Sequence, residues 1–487
     1  MANISLVDVS LRDGNQSLWG ATGVTNRLAA SVAPAMNRVG YRAIEMFSST
    51  TMATAVRFGA EDPWKRIRAV RAAAPDVTLG FLTTGKRFIT FGRTPDNLFE
   101  LAFDLLRRNG VTRLWVIDPM HNMQDTIRTA EMAKRVGFEE VVGGLCYSIS
   151  PVHTDEYYLA KIAELDASDA IDSVYFKDPA GLLTPDRVRD LVPRLRGQLT
   201  RTPFREMHTH ASTGLAPVTL LEAADQGMDI LHTALPPLAY GNSHSSGIRV
   251  AENLRARGHT VDVDDDAMRE ASAILTRHAK LHRLPVGVPA EYEEAYYRHN
   301  IPGGVMSTLE RQLAEIGKKD LLQAVIEESV QVRRDLGWPI VVTPFAQYIV
   351  TQATLNILTG ERYAQISDEV IDLLLGDFGP LPGDIDPGLL DRANASSRAR
   401  RRGEPTPEAP SLTELRERFG RDTSDEDLLL RAVMPSTQVD AMVAKREAGP
   451  AQSLRDVLAA FEAGPKLTAF SFTTGDTRVS VTRNGAS

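Results

Sequence analysis

The chain has 487 residues, of which 43% are hydrophobic, so it has enough apolar residues for the cores of two or three globular domains. Its formal net charge of -8 argues against a nucleic-acid-binding protein. The single cysteine, Cys146, excludes an internal disulfide and a cysteine-rich zinc site, and its place at the end of an apolar run favours a buried structural thiol. Without a signal-peptide pattern or an apolar stretch of about 18 residues, we expect a cytoplasmic protein with no membrane span.

The first half of the chain repeats one pattern, in which a short apolar, β-branched run is followed by an amphipathic helical stretch. The eight runs are residues 4–9, 41–46, 77–82, 113–118, 140–146, 173–176, 204–208 and 228–233. Eight strand–helix units in succession predict a parallel (β/α)8 barrel, a TIM barrel, over residues 1–265. The active site of such a barrel lies at the C-terminal ends of its strands.

The second half is helical in pattern. Apolar residues recur at helical spacing in four stretches, residues 267–284, 309–336, 350–358 and 368–375. They predict an α-helical domain over residues 266–392.

The last part of the chain changes character again. Residues 393–411, with their run of arginines and a Pro-Thr-Pro segment, predict a solvated linker, and a contact with an acidic partner is the alternative. Residues 412–487 predict a short C-terminal segment with helices at 425–431 and 450–463, then a hairpin or a frayed tail from 468 onward.

Polar residues stand at the ends of several predicted strands. Asp13 comes just after the first strand, Asp118 ends the fourth, Lys177 follows the sixth and His208 ends the seventh. Because the strand ends of one barrel share a face, we expect these side chains to gather at one mouth.

His208 and His210 are one residue apart, and alternate side chains of a strand point to the same face. Two imidazoles and a carboxylate such as Asp13 suit a divalent metal, and zinc, manganese and cobalt all accept these ligands. The alternative is a pair of hydrogen-bonded histidines without a metal.

Lys177 is an unusual neighbour for a metal, because an ammonium group would repel the ion. It suits the site as a neutral amine or as a lysine carboxylated on its amine, and the alternative is a surface ion pair with Asp178. Arg12 and Gln16 flank Asp13, and a guanidinium binds a carboxylate through two hydrogen bonds, which suits a substrate acid group. Alternatively, Arg12 pairs with a barrel acid such as Glu45 or Asp118.

Segments in both halves of the chain resemble, in order, the carboxyltransferase component of biotin-dependent enzymes that act on 2-oxo acids. These enzymes are the carboxyltransferase domain of pyruvate carboxylase, the alpha chain of oxaloacetate decarboxylase and the 5S subunit of transcarboxylase. The segments are residues 11–17, 146–154, 177–185, 208–210, 300–304, 342–347 and 359–363. The resemblance covers roughly residues 3–385.

The resemblance implies a divalent metal bound by Asp13, His208, His210 and an N6-carboxylated Lys177. It also implies that Arg12 and Gln16 hold the 2-oxo acid and that Asp118 lies near it. A metal-polarised carbonyl favours the enolate that takes CO2 from carboxybiotin, and the reverse reaction decarboxylates the oxo acid.

The chain departs from the pyruvate-acting members after the third strand. Thr84 stands where those members have a substrate-binding arginine, and Lys86 or Arg87 would have to compensate. The substrate acid is therefore open among 2-oxo acids that resemble pyruvate and oxaloacetate.

A second departure follows the eighth strand. Asn242 stands where pyruvate carboxylases have a threonine that relays a proton, and an amide cannot take that part. Ser243 or His244 would replace it, and the segment is closer to the transcarboxylase type. Asn242 and Ser243 join Thr84 as candidate substrate-binding residues.

The sequence contains no Ala-Met-Lys-Met biotinylation segment and no ATP-grasp carboxylase domain. We therefore expect a biotin carboxyl carrier protein and a biotin carboxylase as separate chains, and the resemblance suggests a homo-oligomer. The leading interpretation is a metal-dependent carboxyltransferase subunit. A biotin-independent decarboxylase or aldolase-type lyase on the same barrel is the alternative, and a non-catalytic assembly subunit is the third interpretation.

Overall fold

The computed structural model describes residues 1–85, 87–89, 94–402, 409–447, 469–474 and 477–482. Eight parallel strands pair in chain order and close into a barrel, which confirms the predicted TIM barrel. The strands are β1 (Ser5–Asp8), β2 (Ala43–Ser48), β3 (Leu79–Thr84), β4 (Arg113–Ile117), β5 (Glu140–Cys146), β6 (Ser173–Asp178), β7 (Phe204–Thr209) and β8 (Ile230–Thr233). Each lies within two residues of its predicted run at both ends.

Helices surround the barrel and continue beyond it. The first group is α1 (Asn15–Trp19), α2 (Asn26–Arg38), α3 (Ser49–Arg57), α4 (Pro63–Ala73), α5 (Asp96–Arg108), α6 (Met123–Arg135), α7 (Asp155–Leu165), α8 (Pro185–Arg196), α9 (Ala216–Asp225), α10 (Gly247–Ala256) and α11 (Asp265–His282). The second group is α12 (Ala295–His299), α13 (Gly303–Glu315), α14 (Leu322–Asp335), α15 (Phe345–Thr359), α16 (Asp368–Leu374), α17 (Pro387–Ala395), α18 (Ser397–Arg402), α19 (Leu412–Phe419), α20 (Asp425–Val433) and α21 (Ser436–Glu447). None of the described helices is both long and apolar enough to cross a bilayer.

Three hydrophobic cores stabilise this arrangement. The largest joins the barrel strands to the helices around them, and it includes the apolar face of α11, which packs against α2. The second lies among helices α13 to α17. The third, which includes Trp115 and Tyr175, fills the interior of the barrel. The largest core therefore continues into the helix with which the predicted second domain begins.

One predicted helix is wrong. The stretch 309–336 forms two helices, α13 and α14, joined by a 3-10 turn at Lys319–Leu321. The break follows Gly317, whose φ of +67° lies in the left-handed region that a helix interior does not use and that glycine adopts without a steric cost.

The predicted linker is partly helical. Residues 393–395 end α17 and residues 397–402 form α18. Arg398 forms ion pairs with Asp368 at 2.8 Å and with Asp372 at 2.5 Å, both on α16. These contacts hold the helical start of the segment against the helical domain, while residues 394, 395, 397 and 400 stay exposed to solvent.

The C-terminal helices return to the barrel. Helix α20, which includes the predicted helix 425–431, packs against α5, and α21 packs against α3. The predicted helix 450–463 lies outside the described residues. Beyond residue 468 the chain forms an antiparallel hairpin of β9 (Ala469–Thr474) and β10 (Thr477–Thr482), the first of the two predicted alternatives.

Buried hydrogen bonds join the barrel to the helical domain. Arg333 of α14 donates to the backbone oxygen of Ile149 at 3.0 Å and to Oγ of Ser148 at 2.8 Å. Oδ1 of Asn300 accepts from the backbone nitrogen of Ile149 at 2.9 Å. Two buried histidines lie in these same segments. Burial and the charge of Arg333 lower the pKa of His153 to about 3, and burial and Arg298 lower that of His299 to about 4.

Because of these two histidines, we expect mild acid to lower the free energy of unfolding. Between those pKa values and the unfolded pKa of about 6.5, the unfolded chain binds more protons than the folded chain. The contribution of the two neutral histidines to the free energy of unfolding is fully present above a pH of about 6.5. It is lost as the pH falls toward 4, by up to about 1.4 kcal/mol per pH unit for each histidine. Urea unfolding at pH 7 and pH 5 measures the loss, and His299→Gln should lose less than wild type. An equal loss of unfolding free energy in wild type and in His299→Gln would show that His299 does not cause the acid sensitivity.

Candidate metal centre

A wide turn after β1 places Asp13 at the C-terminal mouth of the barrel. Residues Ser10–Gly14 form a π-helical turn, closed by a hydrogen bond from the nitrogen of Gly14 to the oxygen of Val9 at 3.0 Å. Buried Asp8 holds the turn, because it accepts from both the backbone nitrogen and the hydroxyl of Ser10 at 2.9 Å. The turn points Asp13 inward.

The register of β6 and β7 places Lys177 beside His208. Lys177 lies within β6, not after it as predicted, and pairs with His208 on β7. His210 follows the end of β7, and the turn after β6 packs on its backbone. A Cβ on Gly181, whose φ is +73°, would lie 2.4 Å from the oxygen of His210, so only glycine allows this approach.

Five buried side chains meet there. Oδ2 of Asp13 lies 3.2 Å from Nε2 of His208, 3.5 Å from Nε2 of His210 and 3.9 Å from Nε2 of His244. Nζ of Lys177 lies 3.0 Å from Nε2 of His208 and 3.7 Å from Oδ2 of Asp13. The structure brings the four predicted metal ligands together and adds His244, which the sequence suggested only as a proton relay.

A buried chain of hydrogen bonds fixes the tautomer of His208. Against its burial, Arg113 and His232 lower the pKa of Glu206 to about 2, so Glu206 is a carboxylate that accepts from Nε2 of His232 at 3.0 Å. A neutral His232 then has its lone pair on Nδ1, which accepts the Nδ1 proton of His208 at 3.0 Å. The lone pair of His208 therefore lies on Nε2 and faces Asp13.

His210 is oriented in the same way. Its Nδ1 lies 2.9 Å from the backbone oxygen of Asn242, which can only accept, so Nδ1 carries the proton. In the neutral ring the lone pair lies on Nε2, toward Asp13. Against its burial, Arg12 holds the pKa of Asp13 well below its usual range. A carboxylate and two imidazole lone pairs that converge at this spacing suit a divalent cation.

Lys177 is buried, and its amine points at the metal-ligand candidates. Asp178 instead accepts from the backbone nitrogens of Leu182 and Leu183, each at 2.8 Å, and from the hydroxyl of Thr209. The alternative of a Lys177–Asp178 surface pair is therefore wrong. Burial lowers the pKa of Lys177, which favours the neutral amine.

Arg12 is held by protein carboxylates. Its two terminal nitrogens lie 2.7 Å from Asp13 and 2.6 Å from Glu45. The pairing with Glu45 that the sequence offered as an alternative to substrate binding is thus present. Arg12 still borders the cavity at the barrel mouth, where it holds Asp13 in place.

A cavity of about 200 Å³ opens beside Asp13, Lys177 and His210. Gln16 and Thr84 line it as predicted, together with further serine and threonine side chains and a few apolar ones. The further hydroxyls belong to Ser17, Ser48, Ser49, Thr50, Thr54, Thr83, Thr308 and Thr343. The volume and the many hydroxyl groups suit a small hydrophilic substrate.

The remaining candidates near β3 and β4 lie to one side. Asp118 and Arg87 line a smaller neighbouring cavity with Thr84, and the Arg87 guanidinium stacks 4.1 Å from the centre of the Phe378 ring. Lys86 lies outside the described residues. Burial raises the pKa of Cys146 to about 12, which makes this thiol a structural one, as predicted.

The loop after β8 gives its three candidates different surroundings. Asn242 turns its side chain away from the donor cluster, donates to Ser307 at 2.8 Å and packs against Gly303. Ser243 is buried, with its hydroxyl 3.5 Å from Nδ1 of His244. Only His244 enters the cluster.

Two protein-family models match the chain. The model described as HMGL-like matches residues 3–275, more than half of the chain, and the model described as a conserved carboxylase domain matches residues 296–480. The chain is also 31% identical to a pyruvate carboxylase subunit of Methanocaldococcus jannaschii over 461 residues, which are 93% of this chain and 80% of that relative. The chain belongs to the pyruvate carboxylase and transcarboxylase family of biotin-dependent carboxyltransferases.

Two further likenesses agree with the family. This carboxyltransferase is 29% identical to the methylmalonyl-CoA carboxyltransferase 5S subunit of Propionibacterium freudenreichii subsp. shermanii, across 81% of its own length and 77% of the relative. The carboxyl transferase domain from Rhizobium etli pyruvate carboxylase superposes with a TM-score of 0.84 over 100% of this chain and 84% of that one. At 20% identity, this second likeness concerns the fold alone.

In this carboxyltransferase, the hydrogen-bond chain from Glu206 through His232 to His208 can be tested at His232. His232→Phe removes the acceptor for the Nδ1 proton of His208, and we expect the Zn²⁺ Kd to rise by about 10- to 100-fold. His232→Gln offers an amide oxygen to His208 and an amide donor to Glu206, so it should bind Zn²⁺ nearly as wild type does. Chelator competition measures both Zn²⁺ affinities. Equal losses of affinity in the two variants would show that His232 acts through the packing of its ring and not through its hydrogen bonds.

Proposed function

We propose that this carboxyltransferase moves a carboxyl group between carboxybiotin, presented by a separate carrier protein, and a small 2-oxo acid. A divalent ion, which Zn²⁺, Mn²⁺ or Co²⁺ could supply, would be held by Asp13, His208, His210 and an N6-carboxylated Lys177. The observation that carries the proposal is the convergence of these buried donors beside a polar cavity at the mouth of a family barrel.

When bound, the ion supplies Lewis acidity beside the 2-oxo carbonyl. The transfer itself needs a proton removed from C3 of the acid. The C3 electron pair then forms a bond to the carboxyl carbon of carboxybiotin, and the bond from that carbon to the biotin nitrogen breaks. The nitrogen takes up a proton, so the exchange is balanced. The reverse sequence moves the carboxyl group of the longer acid onto biotin, and the carboxybiotin formed then takes up a proton and releases CO2.

Carboxylation of Lys177 is supported by charge and by reach. An ammonium at 3.0 Å from His208 would place a positive charge beside the ion, whereas a carbamate adds an anionic oxygen beyond Nζ. Only the neutral amine attacks CO2, and burial favours that form. Arg12 supports the site from the side, because it pairs with Asp13 and keeps it ionised.

The cavity supports a small acid. Gln16 and the serine and threonine hydroxyls of the lining, Thr84 among them, can donate to its carboxylate. The name of the pyruvate carboxylase relative supports pyruvate or oxaloacetate as the acid. Asp118, which lines the neighbouring cavity, and Ser243, which lies beside His244, are proposed to shape the site without coordinating the ion.

Partners follow from the family as proposals. The two relatives are named as subunits, which supports a biotin carboxyl carrier protein and a biotin carboxylase on other chains. A homo-oligomer and a cytoplasmic location remain predictions.

CO2 release from oxaloacetate, measured with and without free biotin, tests the proposal. Biotin-stimulated release by the metal-loaded protein is the expected result. Release that is independent of biotin would favour the decarboxylase or lyase alternative. No release with either oxaloacetate or larger 3-carboxy-2-oxo acids would overturn the proposed reaction.

A further inference from the structure

His244 lies in the metal cluster although no predicted ligand set includes it. It follows β8 in a loop that its backbone holds tightly, since its oxygen accepts from Tyr240 at 2.7 Å and it forms an antiparallel bridge with His210. The side chain is fully buried, and its ring centre lies 4.4 Å from that of His208 and 4.2 Å from that of His210. The fold therefore fixes this third imidazole against the other two.

The distances suit a shared ion. Nε2 of His244 lies 3.0 Å from Nε2 of His208, and one donor atom from each of Asp13, His208, His210 and His244 lies within 4.8 Å of all the others. Ligands at about 2.0 to 2.2 Å from one ion stand about 3 Å apart when adjacent and about 4 Å apart when opposite. The observed spacing needs only a small contraction to satisfy this geometry.

Once an ion is present, a hydrogen bond no longer accounts for the short distance between Nε2 of His244 and Nε2 of His208. The lone pair on Nε2 of His208 can accept a proton from His244 only while no ion uses it. In the loaded site, an Nε2 proton on His244 would face a ligated nitrogen, and Oδ2 of Asp13, at 3.9 Å, lies too far away to accept it. With the lone pair on Nε2 instead, His244 joins the ion and its Nδ1 proton faces the hydroxyl of Ser243.

We infer that His244 is a further ligand of the divalent ion, which makes this a three-histidine centre. The inference rests on the proposed metal site and alters its coordination. A third imidazole favours zinc and cobalt over the harder manganese and magnesium ions. It also takes the loop position at which a proton relay was predicted, so His244 holds the ion instead of carrying a proton.

Co²⁺-loaded full-length protein tests the inference without an activity assay. Each coordinated histidine with a ring N–H gives one strongly shifted, exchangeable proton signal in the NMR spectrum. We expect three such signals in wild type and two in His244→Ala, with a Zn²⁺ Kd that rises at least about 10-fold. His278→Gln, which changes a half-buried histidine on α11, is the matched control and should keep three signals.

The outcomes separate the two proposals. Two signals in both wild type and His244→Ala would overturn the inference and leave the proposed function standing. Failure of wild type to bind Co²⁺ or Zn²⁺ would contradict the proposed metal site itself. If His244→Ala does not fold, His244→Asn with the same readout decides the question, because its amide nitrogen gives no shifted ring signal.

Discussion

Asp13→Asn is expected to empty the metal centre and abolish biotin-stimulated CO2 release. The amide keeps the size of the side chain but removes the negative charge at which the Nε2 atoms of His208 and His210 point. It also leaves a terminal nitrogen of Arg12 without its carboxylate. We expect the Zn²⁺ Kd to rise by more than about 100-fold, beyond the effect of losing an outer-shell partner.

Metal content after dialysis and oxaloacetate decarboxylation measure the two effects of Asp13→Asn. The matched control is Asp229→Asn, because Asp229 precedes β8 at the opposite end of the barrel and pairs with Arg205 at the surface. The control should keep both metal and activity. A metal-replete, active Asp13→Asn protein would remove Asp13 from the site.

Lys177→Met is expected to have the second largest effect. The variant keeps an unbranched side chain in the buried position but cannot form a carbamate. We expect a Zn²⁺ Kd at least about 100-fold higher and CO2 release near background. In wild type, ¹³C-bicarbonate should label one carbamate carbon that NMR detects and that Lys177→Met lacks.

Lys161→Met, on the outer helix α7, is the control for Lys177→Met and should behave as wild type. Full metal occupancy in Lys177→Met would remove the ligand assignment. A wild-type protein that binds zinc without a labelled carbamate would instead point to a neutral amine at this position, the other form that the sequence left open.

The barrel and the convergence of its candidate metal ligands were predictable because both depend on local periodicity. Apolar runs define strands, and parallel strands bring their C-terminal ends together, so Asp13, Lys177, His208 and His210 were placed at one mouth without any knowledge of side-chain contacts. The family resemblance named the same four residues independently.

What the sequence missed lies in segments without periodicity. His244 reaches the cluster through a loop whose path depends on backbone hydrogen bonds to Tyr240 and Ala211, which no spacing rule specifies. A histidine in the loop that follows the eighth strand was nevertheless a usable signal, because every strand of the barrel ends at that mouth. Gly317 likewise marked the break between α13 and α14, which the helical periodicity of the flanking residues obscured.

Arg12 shows why roles are harder to predict than positions. The sequence placed it beside Asp13 and left two partners open, a substrate acid or a barrel carboxylate. The choice depends on Glu45, which β2 buries inside the barrel within 2.6 Å of the guanidinium. Competition between two carboxylates for one arginine is a three-dimensional property that motif spacing does not encode.

The measurement that tests the central claim most directly is carboxyl transfer in the forward direction. Zinc-loaded protein is mixed with pyruvate and free ¹³C-carboxybiotin, and the labelled carboxyl group of oxaloacetate is followed by NMR, with Asp13→Asn as the reference. Label that appears in oxaloacetate with wild type and not with Asp13→Asn is the predicted result. Label that is lost only as CO2 at the rate of the protein-free solution, with every 2-oxo acid offered, would contradict the account.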